Sequence, residues 1–350
     1  MHWDKMPVVS RLYPGAVAVF IPENRYMKVF INKIIPEEGL NLLREAGVEI
    51  TMWQEERLLS REEVIKFCLD HDAFLNVSQK GVDADFFRQC SHLKVMALHS
   101  VGFDNVDVSA ATRWKVPVGN TPGVLNRATA EIALLLMLTV SRKALYMHKK
   151  IAQGGWGISQ PTQDLGIDLV GKTLGIVGLG RIGAELGRIC KHALHMNIIY
   201  YNRGTNPEAE NELGAVKVPF DELLAQSDVV SVHTALTPET KGMFGTEEFR
   251  KMKNSAIFIN TARGAVHREA ELTQALEQGL IWGVGLDVTD PEPMSKTNPL
   301  LSMENAVVFP HIGSSTTETR NAMSRLAAEN IIAGLQGKRI PYPVNPEVYD

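Results

Sequence analysis

The 350-residue chain is poor in cysteine, has only 7% aromatic residues, and carries no long run of charge of one sign. Its three cysteines, Cys68, Cys90 and Cys190, are far apart, odd in number and in no CxxC spacing. That argues against a disulfide framework and predicts buried, reduced thiols in a cytoplasmic protein. There is no HExxH, no Cys/His cluster and no clustered carboxylate pattern, so no metal is expected. The formal net charge of −4, spread along the chain, speaks against a nucleic-acid partner. An anionic ligand would have to be held by local donors, not by a generally positive surface. The most apolar helix candidate, Ala133–Val140 between Glu131 and Arg142, is shorter than the ~20 residues a membrane span needs. It reads as a buried helix, and no membrane partner is expected.

What is present suits a soluble α/β protein: 45% hydrophobic and 22% charged residues. At roughly 100–200 residues per domain, the length suggests two domains, each able to bury a core without disulfides. Residues 1–26 have no helical or strand period and contain Pro7, Pro14 and Pro22. Their apolar run Ala16–Ile21 is too short for a signal sequence. The expectation is that Met27 opens the folded protein and that residues 1–26 form a loose extension.

From Lys28 onward, short β-branched runs alternate with stretches of helical period, the pattern of parallel strands joined by helical crossovers. Strands are expected over Lys28–Asn32, Val48–Trp53, Ala73–Val77, Leu93–His99 and Pro117–Gly119, with helices near Pro36–Ala46, Arg61–Leu69, Ala84–Gln89 and Val108–Trp114. This first series suggests a flavodoxin-like wound sheet. A second series runs Thr173–Val177, Asn197–Tyr201, Asp228–His233, Ala256–Thr261, Trp282–Asp287 and Ala306–Phe309, the six strands of a dinucleotide-binding sheet. A long helix, Thr316–Gln336, follows, and sequence geometry leaves open which sheet receives it.

Gly178-Leu179-Gly180-Arg181-Ile182-Gly183 fits G-x-G-x-x-G between a strand and a helix. Gly178 permits the tight turn, Gly180 lets backbone approach a pyrophosphate, and Gly183 lets helix pack on strand. The helix start at Arg181 offers free N–H groups to phosphates. The next strand ends at Asn202-Arg203, where NAD-selective sheets carry an acid for the ribose 2′-hydroxyl. Asn202 is no acid, and Arg203, with Thr205 and Asn206 close by, can pair with a 2′-phosphate. That favours NADPH, with NADH possible.

Further on come Asn260-Thr261-Ala262-Arg263-Gly264, Gly285-Leu286-Asp287-Val288, Glu292-Pro293 and Pro310-His311-Ile312-Gly313-Ser314. With the glycine turn and Ser100-Val101-Gly102-Phe103-Asp104, these segments resemble the D-isomer-specific 2-hydroxyacid dehydrogenases from about Lys28 to the C-terminus. The Met27-Lys28-Val29-Phe30 start and the missing acid at Asn202 look like the glyoxylate/hydroxypyruvate reductase branch. The resemblance implies a split substrate domain, residues 27–125 and 314–345, interrupted by a Rossmann cofactor domain, residues 126–313. It also implies a homodimer, and a terminal helix that returns to the first domain.

The resemblance further implies that Arg263 binds the substrate carboxylate and keto oxygen, that His311 is the general acid, and that Glu292 orients it. These are the groups that hydride transfer to a keto carbon requires. By the same resemblance, the backbone amides of Val101 and Gly102 hold the carboxylate, and Val77 and Ser78 line the same cleft. Thr129, Thr261 and Asp287 fall on the nicotinamide side, Gly313 is a further cofactor contact, and His233-Thr234-Ala235 lines the adenine pocket. Tryptophans after the long apolar helix shape the substrate site across the dimer in the mammalian reductase. Here Trp156 is present, and Ile158–Leu165 contains no second one. Two alternatives stay open on the residues alone. One is a sister dehydrogenase of D-lactate, longer 2-keto acids or phosphoglycerate. The other is a nucleotide-sensing, corepressor-like binding protein.

Overall fold

The computed structural model describes residues 27–158 and 160–350; the extension expected over residues 1–26 lies outside the described residues. Twelve strands are present among them: β1 Lys28–Ile31, β2 Glu49–Met52, β3 Ala73–Asn76, β4 Val95–Leu98, β5 Val118–Gly119, β6 Thr173–Val177, β7 Asn197–Tyr201, β8 Val216–Lys217, β9 Val229–Val232, β10 Ile257–Asn260, β11 Gly283–Leu286 and β12 Ala306–Val308. Strands β1–β5 form one sheet in the order β2-β1-β3-β4-β5, with all pairs parallel. This is the flavodoxin-like order. Strands β6–β12 form a second sheet in the order β12-β11-β10-β9-β6-β7-β8, again all parallel.

The second sheet has seven strands where six were expected. The additional strand is β8, two residues long with both exposed, at the sheet edge. It pairs Val216 with Ile199 and Lys217 with Tyr200. With β8 counted third, the order around β6 is that of a dinucleotide-binding sheet, extended by β12 beyond β11.

Parallel sheets need cover on both faces, and β3, β4, β9, β10 and β11 are accordingly buried at every position. On one face of the first sheet, Phe30, Phe74, Met96 and Leu98 pack with Val64, Ile65 and Phe86. On the other, Val29, Ile31, Leu75 and Val95 meet Leu40 and Leu43 of helix Glu37–Glu45 and Ala327, Ala328 and Ile331 of helix Thr317–Leu335. The terminal helix therefore packs on the first sheet. Its Gly334 lies so close to Val95 that a Cβ there would fall 2.7 Å from Val95 Cγ1.

The tail beyond that helix stays with the same sheet. Val344 N–H donates to Val118 O at 2.8 Å, and the buried Asn345 accepts from Val118 N–H at 2.8 Å and donates to Val116 O at 3.1 Å. The short edge strand β5 thus has its backbone groups satisfied by the returning chain.

Helix Asn126–Ser141 packs Ala130, Ala133, Leu136, Met137 and Val140 into the core of the second sheet. The burial expected from the sequence holds on one face of the helix. Leu135 and Leu138 are exposed, because the helix is covered on one face only. No helix among the described residues is long and apolar enough to cross a membrane. Cys68, Cys90 and Cys190 are all buried and free.

Candidate active site

Both sheets are parallel, so their carboxyl ends gather the loops that follow each strand. In wound sheets those ends carry the ligand crevice, at the point where strand order reverses. In the second sheet that point is β6, flanked by β7 and β9.

The glycine turn leaves β6 there. Gly178 has φ +97°, and a Cβ on it would fall 2.7 Å from Thr234 N, so the turn is wedged against the end of β9. A Cβ on Gly183 would fall 2.7 Å from Gly178 O and 2.9 Å from Ile176 Cγ2, which sets the close helix-to-strand packing. Nothing lies within 4 Å of a Cβ built on Gly180. Gly180 is also the N-cap of helix Arg181–Leu194, with no side chain capping it. The first N–H groups of that helix are thus offered to an open space, as an anionic pyrophosphate requires.

Two asparagines brace the turn. Asn202 Oδ1 accepts from Leu179 N–H at 2.7 Å, and Asn206 Nδ2 donates to Leu179 O at 2.9 Å. Asn202 therefore spends its amide on the glycine turn itself, a role the sequence did not reveal. Arg203 and Thr205 are exposed at the end of β7, and Lys217 Nζ donates to Arg203 O at 3.3 Å. That brings a second cation beside the Arg203 backbone.

His233 follows β9 at once. Its Nε2 is 2.8 Å from Ser231 Oγ and its Nδ1 3.3 Å from Thr261 Oγ1. Burial pushes its pKa down to about 4, so the ring is neutral. Ala235 O accepts from Thr240 Oγ1 at 2.7 Å, which ties down the loop after it.

Strands β10, β11 and β12 end side by side and deliver the remaining groups. Arg263 lies three residues past β10. The turn is held by Asn260, whose Nδ2 donates to Arg263 O at 2.9 Å and whose Oδ1 accepts from Ala262 N–H at 2.9 Å. Gly264 then lies against the loop that leads to Glu292: a Cβ there would fall 2.7 Å from Asp290 N. His311 follows β12, and its Nδ1 is 2.7 Å from Glu292 Oε1. An ionised carboxylate can only accept, so Nδ1 carries the proton and Nε2 is left free. The hydrogen bond from His311 holds the Glu292 carboxyl below its usual range, against burial that pushes it up.

His311 has φ +54°, the left-handed region that costs a non-glycine residue roughly 1 kcal/mol or more. Its position is enforced from behind. Asp287, the first residue past β11, accepts from Ile312 N–H at 2.8 Å and Gly313 N–H at 2.7 Å. Thr129 Oγ1 donates to Gly313 O at 3.2 Å. Asp287 is almost fully buried, which pushes its pKa up, while the two N–H donors pull it down. Thr129 and Asp287 thus meet at the turn carrying His311, whereas Thr261 sits with His233.

The first sheet supplies the opposite wall. Val77 and Ser78 follow β3, and Val77 N–H donates to Asn32 Oδ1 at 2.7 Å. Val101 and Gly102 follow β4. Their carbonyls are fixed, Val101 O by Asn120 Nδ2 and Gly102 O by Ser100 Oγ, each at 2.8 Å. Neither backbone amide has an acceptor among the described residues. Arg263 reaches across to this wall, where its Nε donates to Asp104 Oδ1 at 2.9 Å and its Nη2 lies against Gly102. Asp104 stood in the motif without a role; its pairing with a residue 159 positions away is visible only in three dimensions. The constellation is chemically complete for reduction at a carbonyl beside a carboxylate: fixed cationic donors, free amides, and a histidine oriented by a carboxylate.

The model of the D-isomer specific 2-hydroxyacid dehydrogenase, NAD binding domain, matches residues 134–313. The glyoxylate reductase of Korarchaeum cryptofilum is 41% identical over 322 residues, covering 92% of this chain and 96% of its own. That of Pyrococcus furiosus is 42% identical over 325 residues, with the same two coverages. Among solved structures, a glyoxylate reductase from Paecilomyes thermophila matches with a TM-score of 0.81 at 34% identity, covering 91% of this chain and 98% of that one.

Proposed function

Because the chain belongs to the D-isomer-specific 2-hydroxyacid dehydrogenase family, we propose that it reduces glyoxylate or hydroxypyruvate to the matching 2-hydroxy acid, the D isomer in the case of hydroxypyruvate, with NADPH as the preferred donor. The observation that carries this reading is Arg263 lying against Gly102, where the amides of Val101 and Gly102 are free, while its charge also reaches the Glu292 carboxylate that holds His311. The names of the two archaeal relatives support the small substrate.

The residues divide the work as the reaction demands. The substrate carboxylate is held by Arg263 Nη2 and the N–H groups of Val101 and Gly102, charge-assisted bonds that fix its orientation. As the keto oxygen gains charge, Arg263 stabilises it, and the His311 imidazolium, protonated on both nitrogens, gives up its Nε2 proton and is left as the neutral ring with Nδ1–H on Glu292. Glu292 keeps the imidazole in the tautomer and orientation that this needs, and stabilises its charged form. The bound nicotinamide supplies the hydride. Gly178, Gly180, Arg181, Ile182 and Gly183 would receive its pyrophosphate, and Arg203, aided by Lys217, a 2′-phosphate. Val77 and Ser78 line the substrate side of the cleft.

In this reading residues 27–125 and 314–345 act as the substrate domain and 126–313 as the cofactor domain, with the reaction in the cleft between them. Closure over substrate excludes water from the developing charge. The enzyme works as a homodimer. The supporting feature is the run of exposed apolar side chains along and after two consecutive helices, Leu135, Leu138, Leu145, Ile151, Trp156 and Ile158, the last two 78% and 90% exposed.

The test is absorbance of the reduced nicotinamide with glyoxylate, hydroxypyruvate, pyruvate, longer 2-keto acids and phosphorylated ones, using NADPH and NADH in parallel. The highest kcat/KM is expected for glyoxylate or hydroxypyruvate with NADPH. A maximum with bulky or phosphorylated acids would overturn the substrate assignment, and a preference for NADH the cofactor assignment.

A further inference from the structure

We propose that Asp104 is the positioning residue for Arg263, a carboxylate on one wall of the cleft that holds the guanidinium of the other wall in its working orientation. The inference rests on the reading of Arg263 as the substrate's carboxylate anchor. The two side chains come from loops after β4 and β10, one in each sheet, and are partly buried together. Asp104 Oδ1 takes Arg263 Nε at 2.9 Å, while Ala262 O takes Nη1 at 2.8 Å. Two of the three guanidinium nitrogens are thereby tied down. Nη2 has no acceptor among the described residues, and it is the nitrogen pressed against Gly102.

That geometry has a consequence for catalysis. The one uncommitted nitrogen of Arg263 points to the spot where the amides of Val101 and Gly102 are also free. Three donors converge there because Asp104 draws the guanidinium from the far side. Arginine left unpaired on a flexible stem samples many orientations, and its planar fork helps only when the plane is fixed. Since Asp104 and Arg263 belong to different sheets, closing the cleft and orienting the guanidinium become one event. Opening it releases both.

The experiment is a double-substitution cycle on the intact protein with steady-state kinetics and thermal melting. Asp104→Ala is expected to raise KM for the keto acid and lower kcat, each roughly 10-fold, from a guanidinium displaced by ~1 Å or less. KM for NADPH and the melting temperature stay as in the parent. Asp104→Asn keeps a neutral oxygen acceptor and recovers most of the loss. In an Arg263→Ala background, Asp104→Ala adds under about 2-fold, because the residue it positions is gone. Independent, multiplicative losses would overturn the proposal. So would an asparagine variant as poor as alanine, or an alanine variant whose only change is a lower melting temperature. If Arg263→Ala alone leaves keto-acid kinetics intact, the substrate-anchor reading fails instead. If Arg263→Ala is crippled and Asp104→Ala is silent, only this inference fails.

Discussion

Replacing Gly102 with alanine isolates how close Arg263 must come to the substrate wall. The new Cβ would lie 2.8 Å from Arg263 Cζ, 3.1 Å from Asp104 Oδ1 and nearer still to Nη2. Carbon atoms in contact sit about 3.5–4.0 Å apart, so the guanidinium must withdraw by ~1 Å. The group that gives way is the end of a flexible side chain, and Gly102 is not among the glycines with positive φ. Folding is therefore spared, and stability should change by less than ~0.5 kcal/mol. Catalysis is not spared: a misplacement of ~1 Å in a positioning group can cost ~10²-fold. That corresponds to ~2.7 kcal/mol of transition-state stabilisation. Steady-state kinetics with glyoxylate should then show kcat/KM down about 10²-fold, with NADPH affinity and melting temperature unchanged. An alanine variant with parental kcat/KM would refute the reasoning, because the crowding at Gly102 would then have no bearing on the reaction.

Further expectations concern the cofactor, the histidine turn and acid stability. Arg203→Ala should raise KM for NADPH about 10-fold or more and leave KM for NADH unchanged, the loss of one charged hydrogen bond at a 2′-phosphate; equal loss with both cofactors would remove Arg203 from that role. Asp287→Ala strands the N–H groups of Ile312 and Gly313, at about 1–3 kcal/mol each. Both melting temperature and kcat should fall, and parental kcat would show that the turn holds His311 without it. Burial pushes His99, His233 and His267 each down to about 4, with Arg320 adding to the effect at His99. The unfolded chain binds those protons from about pH 6.5 downward, so their contribution is complete above 6.5 and is lost as pH falls toward 4. It amounts to up to ~3 kcal/mol per histidine. Urea melts from pH 7 to 4 should show this slope, reduced by about one proton in His267→Asn; an unchanged slope would contradict a neutral buried His267.

The parts of the site that were legible in the sequence are those where one residue type can do one job. The glycine turn is such a case, since the positive φ at Gly178 and the close packing at Gly183 each demand glycine. The ends of strands were nearly legible as well. The runs expected to finish at Val77, His99, His233, Thr261 and Asp287 finish one residue earlier, so those side chains fall just past the ladders, where they can turn toward the cleft. Strand β8 was missed because two exposed residues carry no apolar period. The exposure of Leu135 and Leu138 was missed because an apolar run does not say which face is covered. Asp104 with Arg263, and Asp287 with the amides of Ile312 and Gly313, are tertiary pairings that no local spacing encodes.

The central claim is that His311, oriented by Glu292, delivers the proton to the keto oxygen. Single-turnover absorbance with His311→Asn, preloaded with NADPH and mixed with saturating glyoxylate, tests it most directly. Cofactor binding, followed by nicotinamide fluorescence, should be unchanged, and hydride transfer should slow by roughly 10²–10⁴-fold. Transfer at the parental rate would contradict the account and move the proton donor elsewhere in the cleft.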